Sequence, residues 1–437
     1  MEHNLKAAAR RIFQQTLAAT DVRAAIARRL DRRESRIQTG AGEIDLRDFR
    51  EIVAIAFGKA SIAMAEAFQA ALAPDFQVEG ILVGPHLPTR APEGWKNFAG
   101  GHPLPTEESL AAGREILERL ERCDERSLVV FLISGGGSSM VEAPLDAEMT
   151  LEDFRALHAA LVTCGAPIEE INIVRKHLSA TKGGRLAAAA PRSWKLTFAV
   201  SDVPTGEESA LASGPTLPDP STVADAESVV KEYGVLAKLP AALRNIFSQR
   251  RLIETPKDGD AAFERAVFDV LLGEHDLVHR AHYCCEAQGI FCMGDDLTDG
   301  WPLEKAADEL LAQLAALQKE HPGKRVAILS GGELSSPVTG EGEGGRNSAF
   351  VLTCVPKIAG KKIVVLSAGT DGIDGNSPAA GAVADGETLG RAERTGMNWE
   401  DYMRRSDAYH FFERLDDAIV IGPTGNNLRD LRVLISG

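Results

Sequence analysis

The sequence predicts an α/β fold in two domains, with a mainly parallel sheet. Helical amphipathic patterns alternate with short apolar runs along the chain. Many of those runs end in glycine beside a charged or hydroxyl residue, which suits strands whose carboxyl ends open into ligand loops. At 437 residues the chain exceeds what one ordinary core can organise.

In chain order, helices are expected at Leu5 to Leu30 and Ser61 to Leu72. Strands are expected at Ile52 to Phe57, Gly80 to Gly84, Leu128 to Ile133 and Leu196 to Val200. Leu128 to Ile133 is apolar throughout, as a strand buried on both faces requires. The pattern weakens between Val235 and Asp260, where prolines and mixed charge mark a domain boundary, drawn between 1–245 and 246–437. Alternation then restarts. Strands read at Gly289 to Cys292, Arg325 to Leu329, Phe350 to Cys354, Ile363 to Ser367 and Ala418 to Ile421, with helices at Ala261 to Gln288 and Pro302 to Glu320. The first helix suits either domain.

A net charge of −15 disfavours nucleic acid or an anionic membrane as partner, since both need a basic field. The start carries scattered charges without a signal-peptide core, and no apolar run is long enough to span a bilayer, so the chain reads as cytoplasmic. The six cysteines lack metal-ligand spacing.

Chemistry concentrates where strands end. "IAFGKAS" places Gly58 and Lys59 at the opening of an alanine-rich helix, where an ammonium suits an anion. "LVVFLISGGGSSMVEAP" follows its strand with Gly135, Gly136, Gly137, Ser138 and Ser139, either an anion cradle or a glycine-rich turn. "AVSDVPTGE" offers Asp202 as a base, a Mg²⁺ ligand or a turn cap. In "NIVRKHLSATKGGRLA", helical spacing puts Arg175, Ser179 and Lys182 on one face, which binds phosphate or is simply solvated. Arg346 follows a glycine-rich loop and suits bidentate recognition of carboxylate or phosphate. Asp371 and Asp374 in "GTDGIDG", like Asp295, Asp296 and Asp299 in "GDDLTDG", read as ligands or as turns. A GxxxxGK[ST] phosphate loop is absent. The GxGxxG match at Gly340, Gly342 and Gly345 contains two glutamates and does not run from a clear strand into a helix, so it reads as a mobile loop.

Taken in order, "FGKAS", "GGHPLP", "ISGGGSS", "NIVRKHLSATKGGRLA", "SDVPTG", "SGPTLPD", "SGGE", "GRNSAF" and "SAGTDGIDG" resemble the type II glycerate kinases, whose C-terminal module is called MOFRL. The resemblance runs from about Phe57 to Asn427. It implies a Rossmann-like N-terminal α/β domain with a parallel sheet, a smaller C-terminal α/β domain and an active site in the cleft. It further implies transfer of the γ-phosphoryl of ATP to D-glycerate, usually at the 2-hydroxyl, with Mg²⁺ required. Lys59, Arg346 and Asp202 match the family's functional lysine, arginine and acidic residue, with Asp202 also a candidate metal ligand. Ser134, Gly135 to Ser139, Arg175, Lys182, Gly332, Glu333, Asn347 and Asp371 are the expected substrate- or nucleotide-binding residues. After "GDDL" the chain departs from the family pattern with "TDGWPLEKAA", which weakens any role carried to Asp299. Phosphoryl transfer relies on positioning and charge stabilisation, so glycine-loop amides, Lys, Arg and Mg²⁺ are coherent parts. The expected partners are D-glycerate and nucleotide, in a monomer or homodimer. The rivals are an NAD(P)H-dependent hydroxypyruvate reductase, disfavoured by the missing dinucleotide fingerprint, and a non-catalytic sugar-acid sensor.

Overall fold

The computed structural model describes residues 5–31 and 33–437. They form two compact units, Val22–Leu271 and residues 5–21 with Leu272–Gly437.

The first unit is built on a six-stranded sheet. Its order is Trp95–Ala99, Val78–Gly84, Glu51–Phe57, Ser127–Ser134, Trp194–Val200 and Ala266–Leu272. The four pairings among the first five strands are parallel. Numbered along the chain, that order is three-two-one-four-five-six, the doubly wound arrangement expected of a Rossmann-like domain. The chain switches direction across the sheet between Glu51–Phe57 and Ser127–Ser134, so their carboxyl ends leave a crevice. Leu128 to Ile133 are all buried, since helices cover both faces of a parallel sheet. Helices Glu107–Glu121, Leu151–Val162 and Val223–Glu232 begin at Thr106, Thr150 and Thr222, each closing a capping box.

Residues 246–271 pack with this unit rather than with the C-terminal one, because Ala266–Leu272 closes its sheet. The single helix expected over Ala261 to Gln288 is therefore a short 3₁₀ turn, this strand, and a helix at Glu274–Glu286. "AVFDVLL" has strand chemistry, and Gly273 separates it from the helix.

The second unit is α/β, as expected, and carries a mixed sheet. Its order is Phe291–Asp295, Val326–Ser330, Asp430–Ser436, Ile363–Gly369, Gly381–Asp385 and Ala418–Ile419. Only the first pairing is parallel. The inner strand Asp430–Ser436 escaped the sequence reading because Asp430 and Arg432 interrupt its apolar run, yet both are buried. Phe350 to Cys354, expected as a strand, lies inside helix Arg346–Ile358. A short apolar run reads equally as a buried strand or a buried helix.

The long N-terminal helix also divides. Leu5–Ala19 belongs to the second unit, where Lys6 bonds Asp417 at 2.7 Å. Val22–Arg29 packs on Ser61–Leu72 in the first. No helix among the described residues is long and apolar enough to cross a membrane.

Phe131, wholly buried in the Ser127–Ser134 strand, tests the first sheet. Phe131→Ala should destabilise the unit by about 3–5 kcal/mol in urea unfolding.

Candidate active site

In the first unit, the loops after Glu51–Phe57 and Ser127–Ser134 are tied together at the switch point. The Lys59 amide donates to the Gly135 carbonyl at 2.9 Å, and the Ala60 amide donates to Ser134 Oγ at 2.9 Å. Gly58 has φ +113°, and a Cβ there would lie 2.4 Å from the Ser134 carbonyl oxygen, so only glycine fits.

Gly135 is more constrained still. A Cβ on it would sit 1.7 Å from Asp202 Oδ2, which means the carboxylate rests on bare backbone. A Cβ on Gly136 would lie 3.3 Å from Lys59 Cγ and 3.5 Å from His102 Nδ1. Lys59, Asp202 and His102 thus gather around two consecutive glycines. His102 Nδ1 lies 3.3 Å from Ser139 Oγ. Burial and then the Lys59 charge lower the His102 pKa, favouring the neutral ring.

Other expected residues of this loop have structural work. Ser134 is buried as the tie just described, and Gly137 lies close to the Phe57 ring. Ser138 Oγ meets Ser213 Oγ at 2.8 Å, and Ser213 Oγ donates to Asn172 Oδ1.

Arg175, Ser179 and Lys182 do not share a helical face. The helix Ile168–Lys176 ends before Ser179, and residues 178–180 pair with 143–145 through Ala180 N to Ala143 O and Leu145 N to Leu178 O. Lys182 is 1% exposed and bonds Glu142 Oε2 at 2.6 Å, with Glu142 4% exposed. The other Glu142 oxygen accepts from Ser179 Oγ. Burial lowers the Lys182 pKa while Glu142 opposes the shift. Lys182 is thus a brace within the unit rather than an open phosphate ligand.

In the second unit, Arg346 opens the helix Arg346–Ile358. Its Nε donates to Asp430 Oδ2 at 2.5 Å, and its Nη2 lies 2.7 Å from Glu333 Oε1. Burial opposes the charge, but Asp430, then Glu333 and Asp374, outweigh it and raise the Arg346 pKa. Gly332, at φ +77°, leaves room for Asp299, whose Oδ1 accepts from the Glu333 amide at 2.8 Å. Asp299 in turn is gripped by Arg429, which also bonds Glu274. Asp299 thus joins Arg429 to the Glu333 loop.

Asp374 caps the Arg346 helix. Its carboxylate accepts from the amides of Gly345, Asn347 and Ser348 and from Ser348 Oγ. Burial raises its pKa against the pull of those bonds. Asn347 is turned inward, accepting from Ser367 Oγ at 2.5 Å. Asp371 accepts from the Ile373 amide at 3.1 Å, as a turn residue does. The GxGxxG loop does enter a helix, contrary to expectation. That helix terminus is nevertheless filled by Asp374, where a dinucleotide would need it for pyrophosphate.

His102, Glu142 and Asp430 were not singled out from sequence. His102 lay inside the "GGHPLP" motif, and Asp430 in the strand broken by charges.

Comparison with known proteins matches residues 8–248 to a domain of unknown function, DUF4147, and residues 326–430 to the MOFRL family. The chain is 33% identical over 388 residues to a D-glycerate 2-kinase of Thermotoga maritima, covering 87% of this chain and 89% of that protein. The chain belongs to the type II glycerate kinase family. The crystal structure of a Thermotoga maritima glycerate kinase superposes with a TM-score of 0.85 at 29% identity, covering 99% of each chain. A protein named putative hydroxypyruvate reductase from Agrobacterium vitis is 37% identical over 443 residues, covering 98% of this chain and 94% of that one. Within this glycerate kinase family member, the DUF4147 match contains Lys59, His102 and Asp202, and the MOFRL match contains Glu333, Arg346 and Asp430.

His158 gives the first unit a pH dependence. Burial, then Arg175, lowers its pKa from 6.5. The unfolded chain therefore binds this proton more readily, so the contribution to stability is full above about pH 6.5 and is lost as pH falls towards the folded pKa. Thermal midpoints measured from pH 7.5 to 5 should fall less steeply for His158→Gln than for wild type.

Proposed function

We propose that this chain is an ATP-dependent D-glycerate kinase acting at the 2-hydroxyl. The observation that carries the reading is the meeting of Lys59 and Asp202 on Gly135 and Gly136 at the sheet's switch point. The glycerate kinase relatives support it.

In the reaction, the glycerate hydroxyl oxygen attacks the γ-phosphorus, the bond from that phosphorus to the β,γ-bridging oxygen breaks, and ADP leaves. The hydroxyl proton passes to Asp202, whose carboxylate lies against the Gly135 backbone. Lys59 offsets charge on the transferring phosphoryl, aided by backbone amides that glycine leaves accessible. Arg346, held by Asp430 and Glu333, presents a fixed guanidinium for phosphate or carboxylate.

Mg²⁺ belongs with the nucleotide. No group of three His, Cys, Asp or Glu is arranged as a cage among the described residues, and one carboxylate such as Asp202 with nucleotide phosphates suits a magnesium that keeps its waters. The ion supplies charge neutralisation on the phosphates when bound. Hydroxypyruvate reduction fits less well, because Asp374 occupies the helix terminus that the glycine fingerprint would give to a dinucleotide.

Purified protein with MgATP and D-glycerate should release ADP, and the product's phosphorus NMR signal should couple to the C2 proton. NADH oxidation by hydroxypyruvate without ATP, in the absence of kinase turnover, would reverse the assignment. Lys59→Ala should lower kcat about 10²- to 10³-fold. Asp202→Asn should lower it about 10²- to 10⁴-fold with the fold retained by circular dichroism. Near-normal turnover in either variant contradicts the role given to that residue.

A further inference from the structure

The sheet of the second unit ends on a strand whose outer side is open. Phe291–Asp295 pairs with Val326–Ser330, and among the described residues no strand lies on its other side. Natural sheet edges are guarded by shortness, by lysine or proline, or by a bulge. The opposite edge of this sheet, Ala418–Ile419, is only two residues long. "FCMGD" has none of these guards. It runs for five residues without Lys or Pro, and its register against Val326–Ser330 is unbroken.

The open side has a definite chemistry. The Phe291 amide donates inward, to the Arg325 carbonyl. Backbone groups alternate in direction along a strand, so the amides and carbonyls of Cys292 and Gly294 point outward. Gly294 is exposed, and a Cβ on it would meet nothing nearer than 3.9 Å, so a second backbone has room to approach. The Cys292 side chain turns towards the helix Glu274–Glu286, where its thiol lies 3.7 Å from the His282 carbonyl. Phe291 and Met293 therefore point to the other face of the sheet, and they are 46% and 42% exposed. The two ends of the strand differ in charge. Lys324 and Arg325 adjoin its start, and Asp295 and Asp296 lie at its end.

We infer that two copies of the chain associate through this edge, their Phe291–Asp295 strands pairing antiparallel about a two-fold axis at Met293. An axis perpendicular to the sheet makes the strands antiparallel and closes the contact after two copies. Cys292 of each copy then exchanges backbone hydrogen bonds with Gly294 of the other, and Met293 takes the non-hydrogen-bonded position opposite itself. The charges agree with that direction, because the basic start of one strand falls beside the acidic end of the other. A parallel approach would set like charges together. Pairing also withdraws Phe291 and Met293 from water and joins the two six-stranded sheets into one. The inference stands apart from the reaction, since it uses no residue of the candidate site.

Analytical ultracentrifugation of the full chain at micromolar concentration should show a species of twice the chain mass. Met293→Lys sets like charges opposite each other at the axis and should return the protein to monomer, with its melting temperature unchanged because the position is exposed. Met293→Cys, oxidised with copper phenanthroline, should give a covalent dimer that dithiothreitol reverses. The Cα atoms of a non-hydrogen-bonded pair lie about 4.5 Å apart, within disulfide range. Leu297→Cys, more exposed but further from the axis, should cross-link no more than wild type. A wild-type chain that sediments as monomer overturns the inference. So does a dimer that survives Met293→Lys, a Met293→Cys chain that fails to cross-link, or cross-linking through Leu297→Cys as readily as through Met293→Cys.

Discussion

The bare backbone of Gly135 is the constraint on which the candidate chemistry depends. A single methyl group there would overlap the Asp202 carboxylate, and the carbonyl of the same residue anchors the Lys59 amide. Two residues of opposite charge, from loops far apart in sequence, thereby meet at one peptide. The sheet order explains why this happens at that place. Strands one and four pair side by side, but the chain leaves them towards opposite edges of the sheet, and glycines line the loops at that switch point.

The second unit fixes charge by a different means. Arg346 is held by acids from a loop and a strand, and the loop acid is itself set by Asp299 and Arg429. Chains of paired ions rigidify such a site more than they stabilise the fold, because desolvation offsets much of their attraction. Asp374 shows the same economy at the head of the Arg346 helix. It satisfies three backbone amides that would otherwise invite an external anion.

Much of this was legible in the sequence, and the failures have physical reasons. Leu128 to Ile133 declared a buried parallel strand because both faces are apolar, and its glycine-rich end left an anion cradle and a plain turn both open. The family motifs carried Lys59, Asp202 and Arg346. Phe350 to Cys354 misled because an apolar run buried all round has no period to read, and Asp430–Ser436 hid because its buried Arg432 looks like a surface residue. The basic face drawn through Arg175 and Lys182 failed where pairing between 143–145 and 178–180 overrode helical spacing. Glu142 could not be connected to Lys182 from spacing alone, since the contact spans 40 positions.

The most direct test of the account is a double-mutant cycle on single-turnover phosphoryl transfer, using Gly135→Ala, Asp202→Asn and both together. If Asp202 acts from its seat on Gly135, the double variant should be no slower than Asp202→Asn alone, within about threefold, because the second change disturbs a group already disabled. Losses that multiply in full would contradict the account, since they would show that Gly135 and Asp202 serve the reaction independently.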